Sequence, residues 1–333
     1  MSPQNRTLDR YQELMQINAA SHVLRTAGQV GVFDQLRSGQ KTADQLAETL
    51  RINRSGLDLL LECLISLNVV ERYGDDHALA PVMQLLCQYD SDLGDASWQR
   101  LRPLLQGEST DASGRAYLDS LAATQWIHTP AAMQAAEMLD MGGPTGPMGK
   151  FGDDGLPEPL RILDLGCGSA VWSCAMAYRD GQASIVAVDD AAPLAAATST
   201  ANAIQLNDRF ETRIGDPETI DLSDSDFGLV VIAQRLHATT DAGRKTLIDK
   251  AYDSLAVGGR LVVIDLFRGP TKPNLTETIE ALRVHAGTGG TGQGRMQSIE
   301  ETQALLKARG FTDIRFTFIE ASRVNFGMMV ATK

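Results

Sequence analysis

Five short stretches hold the residues best suited to chemistry. "DLGCGSAV" places Asp164 two residues ahead of Gly166, and Gly168 completes a Gly-x-Gly turn. "VAVDD" ends in Asp189 and Asp190, and "IGDPE" carries Asp216 and Pro217. "VVIAQRLHATTD" carries Ala233 and His237, and "VVIDLF" carries Asp265. Glycines at a turn let the backbone lie against a ligand, because no Cβ stands in the way. Carboxylates at strand ends accept hydrogen bonds and attract cations. A histidine takes up and releases protons near neutral pH, so it can remove one from a weakly acidic group.

The spacing narrows the ligand. The nicotinamide fingerprint GxGxxG needs a third glycine where this chain has Val171, and no GxxxxGK[ST] phosphate loop is present. A Gly-x-Gly pair after a strand is a weak signal by itself, so its neighbours decide. Asp164 would repel a pyrophosphate and attract an ammonium or sulfonium ion. S-adenosylmethionine carries both cations and no phosphate. Asp189 lies about 20 residues beyond the turn, where an acid accepts the ribose hydroxyls of any adenosine cofactor. Asp216 is placed to accept from the adenine amino group. Asp189, Asp190 and Asp216 each have a plainer reading as a solvated loop acid.

These residues need a scaffold, and the second half of the chain supplies its pattern. Short apolar runs ("LRILDL", "ASIVAVDD", "FGLVVIAQ", "GGRLVVIDLF") alternate with helical stretches, as in a parallel sheet covered on both faces. "FTDIRFTFIE" and "RVNFGMMVAT" have no helix between them, which predicts an antiparallel edge hairpin. The fold class is therefore α/β, a doubly wound sheet of seven strands. Ser298 and Glu301 form a predicted capping box before the last helix. His237 is the one histidine of five that directly follows a predicted parallel strand.

The first half reads as helical. A long helical stretch leads to "KTADQLAETL", opened by Thr42 and Gln45 as a capping box, and to "RSGLDLLLECLISLNVV". "VVERYGDDHALAP" follows, with Gly74, Asp75 and Asp76 as the turn between two short strands. Helix, turn, helix and a two-stranded wing make a winged-helix plan. Residues 41–80 hold four basic residues (Lys41, Arg51, Arg54, Arg72) against seven acidic ones. A helix carrying Asp58 and Glu62 meets DNA phosphates with the wrong sign, and the net charge of −12 argues the same way. Residues 97–141 look helical again, and Met133, Met138 and Met141 fall at mixed helical spacings that suit either core packing or an adaptable pocket wall. The Gly- and Pro-rich stretch 142–159 reads as a linker. This gives a winged-helix region at 1–95, a helical connector and linker at 96–158, and a sheet domain at 159–333.

Bulk properties set the remaining bounds. The 333 residues, 43% of them hydrophobic, suit a globular protein of roughly two domains. No apolar run spans a bilayer, and the first residues lack a signal-peptide core, so a soluble cytoplasmic protein is expected. The four cysteines (Cys63, Cys87, Cys167, Cys174) have neither zinc-ligand nor redox spacing and read as buried thiols.

The glycine turn with Asp164 and Asp189 resembles class I S-adenosylmethionine-dependent methyltransferases. Joined to the winged-helix plan and the His237 segment, nearly the whole chain resembles the O-methyltransferase family that includes plant caffeate and flavonoid enzymes and bacterial natural-product enzymes. The resemblance implies S-adenosylmethionine as cofactor, S-adenosylhomocysteine as product and no metal. It places the cofactor on Asp164, Gly166, Gly168, Asp189, Asp190, Asp216, Pro217 and Ala233. It makes His237 the general base, with Asp265 steadying it, and draws the pocket wall from residues such as Trp126, Met133, Met138, His285 and Met296. It also implies a homodimer formed through the N-terminal domain and a small hydroxylated aromatic or polyketide-like acceptor.

The chain departs from that family in places. Ala238 and Thr239 follow the histidine where Asp-Trp is usual, Ala233 replaces a lysine that flanks adenine, and Ala170 stands for the third glycine. Asp265 is shorter than the usual Glu, and Arg295 and Met296 occupy the region of a second acid. Rival readings are C- or N-methylation, decarboxylation or hydroxylation on the same scaffold, and a winged-helix regulator that uses the cofactor as effector.

Overall fold

The fold is described from a computed structural model covering residues 3–84, 98–108, 115–151, 155–156, 158–222, 226–268, 275–288, 296–322 and 324–333. The chain divides into two compact units, Met1–Ala96 and Ser97–Lys333.

The first unit contains α1 (Pro3–Gln29), α2 (Val32–Arg37), β1 (Lys41–Thr42), α3 (Ala43–Leu50), α4 (Arg54–Ser66), β2 (Val70–Tyr73) and β3 (Asp76–Leu79). Local chemistry starts its helices. Thr42 Oγ1 accepts from Gln45 N at 3.2 Å while Gln45 Oε1 accepts from Thr42 N at 2.9 Å, a complete capping box. Asn53 Oδ1 caps α4 through Gly56 N at 2.7 Å. Leu46, Leu57, Leu61, Leu64 and Val70 form the buried centre.

Three details differ from expectation. Asp76 opens β3 opposite Tyr73, so the turn is the shorter Gly74–Asp75 pair. Lys41 and Thr42 also pair with His77 and Asp76, making the wing three-stranded. Cys63 is a correction: it is exposed, because the buried face of α4 is carried by Leu57, Leu61 and Leu64. Cys167 and Cys174 are buried free thiols, and Cys87 lies outside the described residues.

The second unit begins with α5 (Leu101–Leu105), α6 (Arg115–Thr124), a 3₁₀ turn (Gln125–His128) and α7 (Thr129–Met138). Then come β4 (Arg161–Leu165), α8 (Val171–Arg179), β5 (Ser184–Asp189), α9 (Ala191–Ala203), β6 (Phe210–Ile214) and β7 (Phe227–Ala233). A 3₁₀ turn (Leu236–Ala238) leads to α10 (Asp241–Ser254), β8 (Leu255–Arg268), α11 (Leu275–Gly287), β9 (Gln297–Ser298), α12 (Ile299–Arg309), β10 (Thr312–Phe318) and β11 (Phe326–Thr332). The main strands run in the order β10-β11-β8-β7-β4-β5-β6, with the short β9 beside β8. Strands β8, β7, β4, β5 and β6 are parallel, and β11 and β10 add an antiparallel edge.

Period-two alternation splits the buried strand residues between two cores. Ile162 and Val231 face one with Trp172; Leu163, Val230 and Ile232 face the other with Phe227. The fully buried alanines Ala132, Ala135 and Ala136 give α7 a small-residue face in the first of these cores, so residues 97–158 belong to the sheet unit. Ser298 caps α12 by accepting from Glu301 N at 3.3 Å, while its hydroxyl donates to Glu300 rather than completing a box with Glu301. Among the described residues, no helix is long and apolar enough to cross a membrane.

Strand β4 has β5 on one side and β7 on the other. The winding direction reverses there, the position at which doubly wound sheets bind ligands beyond the strand's carboxyl end. The glycine turn occupies that position.

Candidate active site

The turn after β4 is built from left-handed backbone. Gly166, Gly168 and Ala170 have φ of 75°, 57° and 56°. Only glycine takes such angles without strain, and Ala170 does so just ahead of α8. Gly166 N and Cys167 N donate to the Val188 carbonyl at 2.9 and 3.2 Å, tying the turn to β5. Gly168 N donates to Asp189 Oδ2 at 3.0 Å, and Asp190 N to Asp189 Oδ1 at 2.9 Å. Asp189 is thus held rigidly by backbone, while each oxygen keeps a lone pair for a hydroxyl. Burial raises its pKa, opposed by the nearby Arg235 guanidinium.

Asp164 is buried at the end of β4. Ser173 Oγ donates to its Oδ2 at 2.5 Å, and its Oδ1 is a buried acceptor without a partner. Burial pushes its pKa up to about 7, against the lowering effect of the Ser173 hydrogen bond. Burial thus favours the protonated carboxyl, and a cation beside it would favour the charged form.

Both glycines are overlain by side chains. A Cβ on Gly166 would lie 3.0 Å from Arg235 Cδ, and one on Gly168 would lie 2.9 Å from Gln125 Oε1. Gln125 Oε1 accepts from Ser169 N at 2.9 Å and Ser169 Oγ at 3.0 Å, and its amide donates to Gln234 Oε1 at 2.9 Å. Trp172 Nε1 donates to the same Gln234 oxygen at 2.9 Å. Gln234 has φ of 54°, a strained conformation held by this buried network. Gln125, Ser169, Ser173, Gln234 and Arg235 were not among the expected site residues. Glutamine and serine carry no motif signal, and the network spans distant segments of the chain.

The remaining cofactor candidates surround this centre unevenly. Asp190 is half-buried ahead of α9, and Ala233 is buried at the end of β7. Asp216 is exposed and accepts from Glu218 N at 2.9 Å; Pro217 beside it is buried.

His237 sits in the 3₁₀ turn after β7 and is 1% exposed. Arg244 Nε donates to the Leu236 carbonyl at 2.8 Å and anchors that turn from α10. Asp265, fully buried on β8, accepts from His237 N at 3.0 Å and meets His237 Nδ1 at 2.5 Å. On the other edge of the ring, Tyr117 Oη lies 2.7 Å from His237 Nε2. The carboxylate can only accept, so the network puts a proton on Nδ1 and leaves Nε2 to accept from Tyr117 in the neutral ring. Tyr117 comes from α6 and was absent from the expected residues; nothing in its local sequence marks it.

The pocket candidates divide. Trp126, Met133 and Met296 are partly buried against the core cluster that contains Tyr117 and Trp172. His285 is half-buried on α11. Met138 is a correction: it is 40% exposed and lines a surface hollow with Asp140, Arg260 and Phe316, because α7 turns its alanine face inward. His128 takes an inner position instead, stacked on Trp172 at 6.3 Å and edge-on to Phe326 at 4.8 Å. Burial lowers its pKa to about 4.

These residues fit S-adenosylmethionine. The unpartnered Asp164 oxygen suits an ammonium group, the backbone-held Asp189 suits ribose hydroxyls, and the sequence has no GxxxxGK[ST] loop for a pyrophosphate. Among the described residues, no cluster of three His, Cys, Asp or Glu side chains could hold a metal ion.

Comparison with known proteins agrees. Residues 162–259 match the family model of a methyltransferase domain, and residues 12–85 match that of an O-methyltransferase dimerisation domain. The chain is 25% identical over 328 residues to the N,N-dimethyltransferase OxyT of Streptomyces rimosus, covering 90% of each chain. It shares its fold with the mitomycin 7-O-methyltransferase MmcR (TM-score 0.70, 18% identity, 99% of each chain). It shares it also with human N-acetylserotonin methyltransferase (TM-score 0.68, 17% identity, 100% of this chain and 98% of that one). The chain belongs to the S-adenosylmethionine-dependent methyltransferases that join a methyltransferase domain to an O-methyltransferase dimerisation domain.

Proposed function

We propose that this enzyme methylates a hydroxyl of a small aromatic or polyketide-like molecule, with His237 as the general base. The observation that carries the reading is the buried His237–Asp265 pair, set in the turn that follows the strand next to the glycine turn. S-adenosylmethionine, when bound, supplies an electrophilic methyl group on a sulfonium centre. Asp164, Asp189 and the two glycines hold the cofactor, with Asp190, Asp216, Pro217 and Ala233 around its adenosine end. Asp265 orients the ring and stabilises the imidazolium that forms when His237 takes the acceptor's proton. A phenol, with a pKa near 10, needs such a base near neutral pH. The buried site excludes water that would compete as acceptor. Trp126, Met133, His285 and Met296 supply wall surface.

N-methylation is the second reading, because OxyT is named as an N,N-dimethyltransferase. An amine has its own lone pair and releases its proton only after transfer, so it leaves His237 without a kinetic role. A screen of hydroxylated and amino aromatics with labelled S-adenosylmethionine, read by mass spectrometry, separates the two. Loss of O-methylation in His237→Ala supports the base, and unchanged turnover removes it. We further infer a homodimer assembled through the N-terminal unit, supported by the dimerisation-domain match. Action in the cytoplasm is supported by the free thiols of Cys63, Cys167 and Cys174.

A further inference from the structure

His237 Nε2, the nitrogen that a base would use, is already engaged. Tyr117 Oη lies 2.7 Å away, and both side chains are buried, at 2% and 1% exposure. An acceptor can meet Nε2 directly only if Tyr117 leaves.

The phenol ring is walled in. A Cβ on Gly287 would lie 2.7 Å from Tyr117 Cδ2, so α11 reaches the ring only because residue 287 is glycine. The Arg283 guanidinium lies 5.6 Å from the ring centroid. The two rings meet edge-on, with centroids 5.8 Å apart. Swinging Tyr117 away would break all of these contacts. A phenol oxygen that donates to Nε2 still has lone pairs with which to accept from a third group.

We propose that Tyr117 is a proton relay, which receives the acceptor's hydroxyl proton on Oη while passing its own proton to His237 Nε2. This rests on the reading of His237 as the base. The balance is simple. The acceptor O–H bond breaks and a new Tyr117 O–H bond forms; the old Tyr117 O–H bond breaks and an Nε2–H bond forms. The acceptor oxygen keeps the electron pair and attacks the cofactor's methyl carbon, and the carbon–sulfur pair leaves on sulfur. Tyr117 ends neutral, as it began. Burial favours that neutral phenol by raising its pKa.

The relay differs from two alternatives. A packing role predicts that removing the hydroxyl changes little. A blocking role predicts that removing it speeds the reaction. Tyr117→Phe keeps the ring and removes only the oxygen, so it distinguishes them.

The first measurement uses the full-length protein with ¹⁵N-labelled histidine, saturated with S-adenosylhomocysteine. The relay expects an unprotonated, hydrogen-bonded Nε2 for His237, whose resonance moves downfield in Tyr117→Phe while Nδ1 stays. A proton found on Nε2, or an unmoved resonance, overturns the relay, because Nε2 would then have no free lone pair for Tyr117's proton or no hydrogen bond along which to receive it. The second measurement compares phenol with para-nitrophenol as acceptors in mildly alkaline buffer, where only the latter is ionised. Tyr117→Phe is expected to slow methylation of phenol roughly hundredfold and to spare para-nitrophenol. Equal slowing of both, no slowing, or acceleration overturns the relay. Where neither phenol is turned over, the nitrogen resonance decides. His237→Ala, run alongside, tests the base separately: full phenol turnover there removes the base reading, whereas a Tyr117→Phe failure with an inactive His237→Ala removes only the relay.

Discussion

Asp265 holds His237 at two points, its backbone N–H at 3.0 Å and its Nδ1 at 2.5 Å, so one carboxylate sets both the turn and the ring. His237→Ala is expected to cut turnover roughly 10²–10⁴-fold while leaving S-adenosylmethionine affinity unchanged within about twofold. Asp265→Asn is expected to lose roughly hundredfold or more, because an amide can favour the wrong tautomer. Steady-state kinetics with calorimetric titration of the cofactor separates these effects. A parallel fall in cofactor affinity would place His237 in cofactor binding instead.

Asp164 makes stability depend on pH. Its folded pKa of about 7 stands above the ordinary aspartate value near 3.9. The fold therefore prefers the protonated form. That contribution is complete below about pH 4 and is lost as pH rises through about 7. The Tm of the cofactor-free protein should fall over this window, and Asp164→Asn should flatten the fall. An ammonium beside the carboxyl stabilises its charged form, so the Tm gain from S-adenosylmethionine should grow as pH rises through the same range. A gain that shrinks with pH would contradict the placement of the cofactor's amino group.

The glycine turn gives a backbone prediction. Gly168→Ala puts a methyl 2.9 Å from Gln125 Oε1 at φ of 57°. The strain of a left-handed non-glycine residue costs about 1–2 kcal/mol, and Gln125 must also shift. Both a lowered Tm and at least tenfold weaker cofactor binding are expected. Saturating S-adenosylmethionine at about 100 times its Kd should stabilise the wild type by about 2.7 kcal/mol, and NAD should not.

Gly287→Ala tests the wall behind Tyr117. The added Cβ, 2.7 Å from Tyr117 Cδ2, must push the ring or the helix. Overpacking of this kind costs about 1–3 kcal/mol. Turnover should fall more than cofactor affinity does, since the pushed ring touches His237 and not the glycine turn.

Helix α1 presents Leu8, Tyr11, Leu14, Met15 and Ile17 largely exposed, a stripe that water disfavours. Replacing Leu14 and Ile17 together by Glu should weaken dimerisation by at least tenfold, read by sedimentation across a concentration series. An unchanged association constant would move the proposed interface off this stripe, and a protein that stays monomeric would remove the proposed homodimer.

The sequence by itself determined the seven main sheet strands, their parallel run and the edge hairpin, while the two-residue β1 and β9 appeared only in the fold. Each rests on local information: apolar alternation, strand length and the presence or lack of an intervening helix. It also determined the glycine turn, because the positive φ at Gly166 and Gly168 has to be written as glycine. His237 follows one recognisable strand and Asp265 lies within another, but the roles expected of them came from the family resemblance rather than from strand position. Tertiary structure alone decided the partners. Tyr117 meets His237 from 120 residues away in the chain, and Gln125 meets Ser169 across 44. Neither contact leaves a local pattern. It also decided that Met138 faces outward and His128 inward: α7 turns its alanines to the core and keeps Met133 against it, while Met138 lies off that face. The charge state of Asp164 belongs to the same class: the residue type is written in the sequence, but the burial that lifts its pKa comes from the packed fold around it.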